Sequence, residues 1–96
     1  MSEIDIGDVV KSIKGRDRGN LYYVLSIQDR FAYLVDGKQR KTDRPKKKNK
    51  IHIEKCEMVD MRINEKLKNG EYVSNTDIRK SLSRLRTVFE EEQEEK

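Results

Sequence analysis

One cysteine, one proline, one histidine and no tryptophan leave this chain without several common chemistries. Cys56 has no partner for an internal disulfide, which fits a reducing compartment. His52 and Cys56 supply at most two ligands, whereas a structural zinc site takes about four. A nucleophilic Cys–His pair would need a third, orienting group and a pocket. His52 therefore reads as an edge residue and Cys56 as a small packing residue. Ser74, Ser81 and Ser83 have no base in sight, and the carboxylates cluster at the C-terminal end, where nothing would raise a pKa for acid–base work. No catalytic constellation emerges, so the expectation is a protein that is not an enzyme and uses no cofactor and no metal. No apolar run approaches a membrane span, and the acidic start Met1-Ser2-Glu3-Ile4-Asp5 lacks an apolar h-region. The chain is therefore expected to be cytoplasmic, without a signal peptide and without a membrane partner.

Apolar residues are also scarce, at 33% against 42% charged, a balance that borders on the disordered class. They are clustered, however, which argues for one small folded domain with solvated ends. A chain of this size buries only about 60–65% of its unfolded surface, too little for an enzyme-sized cleft.

What is present in excess is charge, unevenly placed. The net charge of +4 conceals a basic middle and an acidic end. Lys38, Arg40, Lys41, Arg44, Lys46, Lys47, Lys48 and Lys50 face the single acid Asp43, and Glu90, Glu91, Glu92, Glu94 and Glu95 face Lys96. Such a positive segment attracts polyanions such as nucleic acid or an anionic membrane surface; the bland alternative is simple solvation. The segment is expected to be disordered until it meets its partner. The Pro45–Lys50 run also has the flavour of a nuclear localisation signal, a pattern that arises by chance in basic proteins.

The loop Gly15-Arg16-Asp17-Arg18-Gly19 organises the N-terminal half. Its glycines can adopt φ > 0 and its interior is wholly charged, so it must face water or an anion. Asp17 is expected to accept backbone N–H groups inside the turn, leaving Arg16 and Arg18, with Lys14 beside them, as anion contacts. Strands are predicted over Asp8–Ile13, Leu21–Ile27, Phe31–Val35 and Ile51–Cys56. The second strand is apolar on both faces, which suits a small closed barrel. Asp36-Gly37 is the strongest local turn. By alternation Tyr23, Phe31 and Tyr33 face the core, which leaves Tyr22 on the opposite face as the candidate for base stacking.

The period then becomes helical. Val59, Ile63 and Leu67 form one stripe, ended by Asn69-Gly70. Ile78, Leu82, Leu85 and Phe89 form a second, opened by the capping run Ser74-Asn75-Thr76-Asp77. The two stripes are expected to pack on each other or on the barrel. Arg79 and Lys80 lie in the first turns of the second helix, and Arg79 shares a side with Arg86. The glutamates after Phe89 sit at the unfavourable helix end and are expected to fray into a disordered tail that competes for the basic segment.

Gly7-Asp8-Val9-Val10, the Gly15–Gly19 loop, Tyr23-Val24-Leu25 and Asp36-Gly37 together resemble the KOW motif. The likeness extends through Pro45-Lys46-Lys47-Lys48 and Asn75-Thr76-Asp77-Ile78-Arg79-Lys80 to short bacterial KOW-domain RNA-binding proteins related to a ribosomal large-subunit protein family. It implies a mainly β fold with an α appendage: an SH3-like barrel over residues 1–57 that includes the basic segment 38–50, a helical pair over 58–89, and an acidic tail over 90–96. It further implies contact with ribosomal RNA in translation, through Lys14, Arg16, Arg18, Lys38, Arg40, Lys41, Arg44, Lys46, Lys47, Lys48, Lys50, Arg79 and Lys80. Gly15, Asp17, Gly19, Asp36 and Gly37 would be the structural turn residues. The rival reading is a KOW-type protein-interaction module that docks on ribosomal or transcription-machinery proteins.

Overall fold

A computed structural model describes residues 3–94 of the chain. Five strands form one antiparallel sheet: β1 Val9–Ser12, β2 Leu21–Gln28, β3 Phe31–Val35, β4 Lys46–Asn49 and β5 Ile53–Lys55. Their order is β4-β3-β2-β1-β5, so the two edge strands are consecutive in sequence, joined by a 3-10 turn over Lys50–His52. Two helices follow, α1 Met61–Lys68 and α2 Asn75–Glu94. The architecture is mainly β with α. No helix among the described residues is long and apolar enough to cross a membrane.

Both faces of β2 are buried, as its composition predicts. Leu21 and Tyr23 join Val9, Val35, Ile63, Leu67, Val73, Ile78 and Leu82 in one core, where both helices pack their apolar stripes onto the sheet. Tyr22 and Val24 join Val10, Ala32, Leu34 and Ile53 in a second core on the other face. Ile78 is fully buried, and removing such a side chain typically costs about 2–5 kcal/mol. A bulge between Val24 and Ser26 shifts the register with β3. It breaks the alternation, so Leu25 packs against the helix-side core while Ile27 packs against the other.

Several expectations change. The fourth predicted strand, Ile51–Cys56, is divided. β4 lies inside the basic segment, whose later part, Lys46–Asn49, is an ordered strand, while its first part is turns and bends. Ile51, placed in the predicted strand, is instead 74% exposed on the 3-10 turn, and only Ile53 reaches the core. Tyr22 is buried at 3% exposure and is no stacking surface, whereas Phe31 and Tyr33 are only half-buried. Val59 is exposed because it precedes the N-cap, Asp60, and α1 starts only at Met61. The acidic run does not end α2 at Phe89; the helix continues to Glu94, and the rest of the tail lies outside the described residues. Glutamate is a good helix former, and Arg86 sits 4.0 Å from Glu90 one turn on, which offsets the unfavourable dipole end.

The helices are locked to the sheet by polar contacts as well. The Tyr23 hydroxyl meets Ser81 Oγ at 2.6 Å, Ser81 donates to Asp60 at 2.8 Å, and Arg84 reaches the same carboxylate oxygen at 3.3 Å. Burial pushes the Tyr23 hydroxyl up to about 12. Asp60 is held below the usual carboxylate range: its burial acts upward, and hydrogen bonds from Ser81 and the backbone of Ile63 and Arg62 outweigh it.

Candidate functional site

The Gly15–Gly19 loop is held from both ends and from its middle. Gly19 N–H donates to Ser12 O at 2.8 Å, and Arg18 N–H to Gly15 O at 3.2 Å. Asp17, however, does not cap the turn through backbone N–H groups. Its Oδ1 accepts from Ser12 Oγ at 2.8 Å and from Lys48 Nζ at 2.7 Å; its Oδ2 accepts from the Tyr22 hydroxyl at 3.1 Å and lies 3.1 Å from Lys46 Nζ. The side chain is only 9% exposed. Burial alone would raise its pKa, yet the hydrogen bonds from Lys48, Ser12, Lys46 and Tyr22 hold it well below the ordinary carboxylate value. With Asp17 turned inward, Arg16 and Arg18 on either side of it are exposed, as is Lys14.

The basic segment does not form one continuous stripe. β4 alternates its side chains, so Lys46 and Lys48 face Asp17 while Lys47 goes to the opposite face, 4.4 Å from the centroid of the Phe31 ring. Lys46 and Lys48 are therefore structural cations in this arrangement, neutralising a carboxylate, and not free charges at the surface. Arg40 serves the Asp36 turn through its backbone: Asp36 Oδ1 accepts from Lys38 N–H at 2.9 Å and Arg40 N–H at 2.8 Å. Lys41 and Arg44 are exposed on the loop before β4, and Lys50 is half-buried in the 3-10 turn.

The tertiary structure instead gathers charge from two distant segments, the Asp36–Gln39 turn and α2. An open groove of about 670 Å³ runs between α2, the residues that follow the Gly15–Gly19 loop and the Asp36–Gln39 turn. Its cations are Lys38, Arg79, Lys80 and Arg86, and Asp36, its one carboxylate, is occupied by the turn. Among the described residues Lys38, Arg79 and Lys80 enter no ion pair. Arg86 donates to Gly19 O at 3.1 Å and so ties the helix to the end of the loop.

Gly37 sets the groove's geometry. Its φ is +76°, and a Cβ there would strike the carbonyl oxygen of Asn75 and come within 2.9 Å of the Arg79 nitrogen. The turn thus rests directly on the first turn of α2. Asn75 Oδ1 also accepts from Thr42 N–H at 2.9 Å, and Ser74 Oγ caps the helix by accepting from Asp77 N–H at 3.1 Å. These contacts place Arg79 and Lys80 beside Lys38.

Of the residues expected from sequence, Lys38, Arg79 and Lys80 meet in this groove, and Arg86 joins them. Lys14, Arg16 and Arg18 stand on the adjoining loop. The i, i+7 spacing of Arg79 and Arg86 was the legible clue to Arg86; nothing local in the sequence says which face of α2 turns toward Lys38. The Cys56 thiol is pushed up by burial and packs against the helix-side core. Among the described residues no three His, Cys, Asp or Glu side chains come together to hold a metal ion.

No protein-family model matches this chain, and no curated protein matches it.

Proposed function

We propose that this chain is an RNA-binding protein of the KOW type that contacts structured ribosomal RNA in the cytoplasm and acts by binding rather than catalysis. The observation that carries the reading is the convergence of Lys38, Arg79, Lys80 and Arg86 on one open groove, with Arg16 and Arg18 exposed on the loop whose last residue, Gly19, is bonded to Arg86. Guanidinium and ammonium groups in a concave, acid-poor setting suit phosphate oxygens. Such contacts fix position on RNA without reading sequence.

An SH3-like barrel is part of this reading. β4 is three places from β1 in the sheet, yet its Lys46 and Lys48 reach Asp17 on the β1–β2 loop. A flat sheet with strands about 4.8 Å apart would hold these groups too far away. Strong curling toward closure accounts for the contact and for the second core on that face.

The test is a salt titration of binding to a fragment of large-subunit ribosomal RNA, with wild type and an Arg79→Glu, Lys80→Glu pair. About five cationic contacts give a slope of log K against log salt near −3 to −4, and the double reversal should weaken binding and flatten that slope. A wild-type slope near zero, or full affinity in the reversed variant, refutes the reading. Protein partners that survive nuclease treatment in its place favour an interaction module.

A further inference from the structure

The part of the sheet that the helices leave uncovered carries a second kind of surface. Opposite Tyr33 lie Ser26 on β2 and Lys47 on β4; opposite Phe31 lie Gln28 and Asn49. Directly opposed residues of antiparallel strands project to the same side, so these six share one face. The bulge between Val24 and Ser26 puts Ser26 and Gln28 there. Ser26, Gln28 and Lys47 are exposed, and Phe31, Tyr33 and Asn49 half-exposed. The face continues at Val35, which is fully buried under the helices; the two aromatics therefore begin where helical cover ends.

No carboxylate belongs to this face, and its one cation, Lys47, sits over the Phe31 ring. Aromatic residues are common in strands for packing alone, but here their neighbours are a hydroxyl, two amides and an ammonium group rather than a helix. Phe31 and Tyr33 are two positions apart, about 6.8 Å along the strand, a span that an extended single strand can match between successive bases. Ser26, Gln28 and Asn49 offer donors and acceptors to base edges, and the lysine arm can swing from the ring to a phosphate.

We infer that this face binds single-stranded RNA by stacking bases on Phe31 and Tyr33, with Lys47 on the intervening phosphate. The inference rests on the RNA-binding reading and adds to it the class of RNA: unpaired nucleotides next to the structured element held in the basic groove. A duplex keeps its base faces hidden and is recognised by shape and backbone instead.

Two probes test it: a short unstructured oligouridylate and a blunt RNA duplex of equal length, each titrated against wild type, Phe31→Leu with Tyr33→Leu, and Arg79→Glu with Lys80→Glu. The leucine pair keeps apolar bulk and should lose about tenfold or more in affinity for the single strand. Its salt slope and its duplex affinity should stay unchanged. In a Tyr72→Phe chain, whose other tyrosines outside this face are buried, the oligouridylate should quench tyrosine fluorescence, a readout that needs no change on the platform. Unchanged oligouridylate affinity in the folded leucine pair, equal loss on both probes, or no quenching overturns the stacking face. If the groove variant still loses duplex affinity in that case, the RNA-binding reading survives; if wild type binds neither probe, both fall.

Discussion

Lys48 Nζ lies 2.7 Å from Asp17 Oδ1, joining β4 to the β1–β2 loop across 31 residues of sequence. Lys46 completes the pair from the same strand at 3.1 Å, and Ser12 and Tyr22 take the remaining positions on the carboxylate. The loop that presents Arg16 and Arg18 is tied to β1, β2 and β4 through the acid between them.

Replacing that acid should be expensive. Asp17→Ala leaves two lysines facing each other in a poorly solvated place, and breaking such a pair typically costs about 3–5 kcal/mol. Lys48→Met, which leaves Asp17 with Lys46, should cost clearly less. Urea midpoints of the two variants give the comparison, and a ranking in the other direction would remove Asp17 as the keystone.

The same contact sets an acid limit. The folded pKa of Asp17 is depressed below its ordinary value of 3.8, and Asp60 is shifted the same way. Their stabilisation is present above the unfolded value and is lost as pH falls below about 4, where the unfolded chain takes up protons first. Between pH 6 and pH 3 the urea midpoint of wild type should drop, and that of Asp17→Asn should drop less. Parallel curves would show that Asp17 is not the titrating group.

At the alkaline end, Tyr23 is held up to about 12 by burial. A raised pKa keeps its stabilisation up to the ordinary tyrosine value, about 10, and loses it as pH rises toward the folded one. A spectrophotometric titration should show one tyrosine that ionises last, missing in Tyr23→Phe. That variant should lose about 1 kcal/mol, because Ser81 keeps its bond to Asp60.

Two glycines separate backbone strain from close approach. Gly19 has φ +91° and open space around it, whereas Gly37 has φ +76° and α2 against it. Gly19→Ala should cost about 1 kcal/mol, and Gly37→Ala about 2 kcal/mol or more, with the groove distorted as well. Equal losses in thermal unfolding would mean that the turn does not rest on the helix.

Arg16→Glu with Arg18→Glu should leave stability within about 0.5 kcal/mol, since both side chains are exposed. Under the proposed function the pair should weaken RNA binding about tenfold or more and reduce the salt slope. Undiminished affinity would move the contact off the loop.

The sequence by itself determined the local elements. β-branched runs punctuated by glycine place β1, β2 and β3 within a residue of their predicted bounds, and the two helical stripes give α1 and α2, with the Asn69-Gly70 end of the first and the Ser74 cap of the second, because these depend on neighbours a few positions away. The tertiary structure decided what faces what. Phe31 and Tyr33 alternate as core residues should, yet they lie beyond the reach of the helices, and Tyr22 is buried instead. The lysine run reads as one cationic stripe, but strand pairing sends Lys46 and Lys48 to Asp17 and Lys47 to the other side. The groove of Lys38, Arg79, Lys80 and Arg86 joins a turn to a helix some forty residues on. Helical and strand periods tell each side chain which side of its own element it occupies; only packing between elements tells that side whether it meets a core, a counter-charge or solvent.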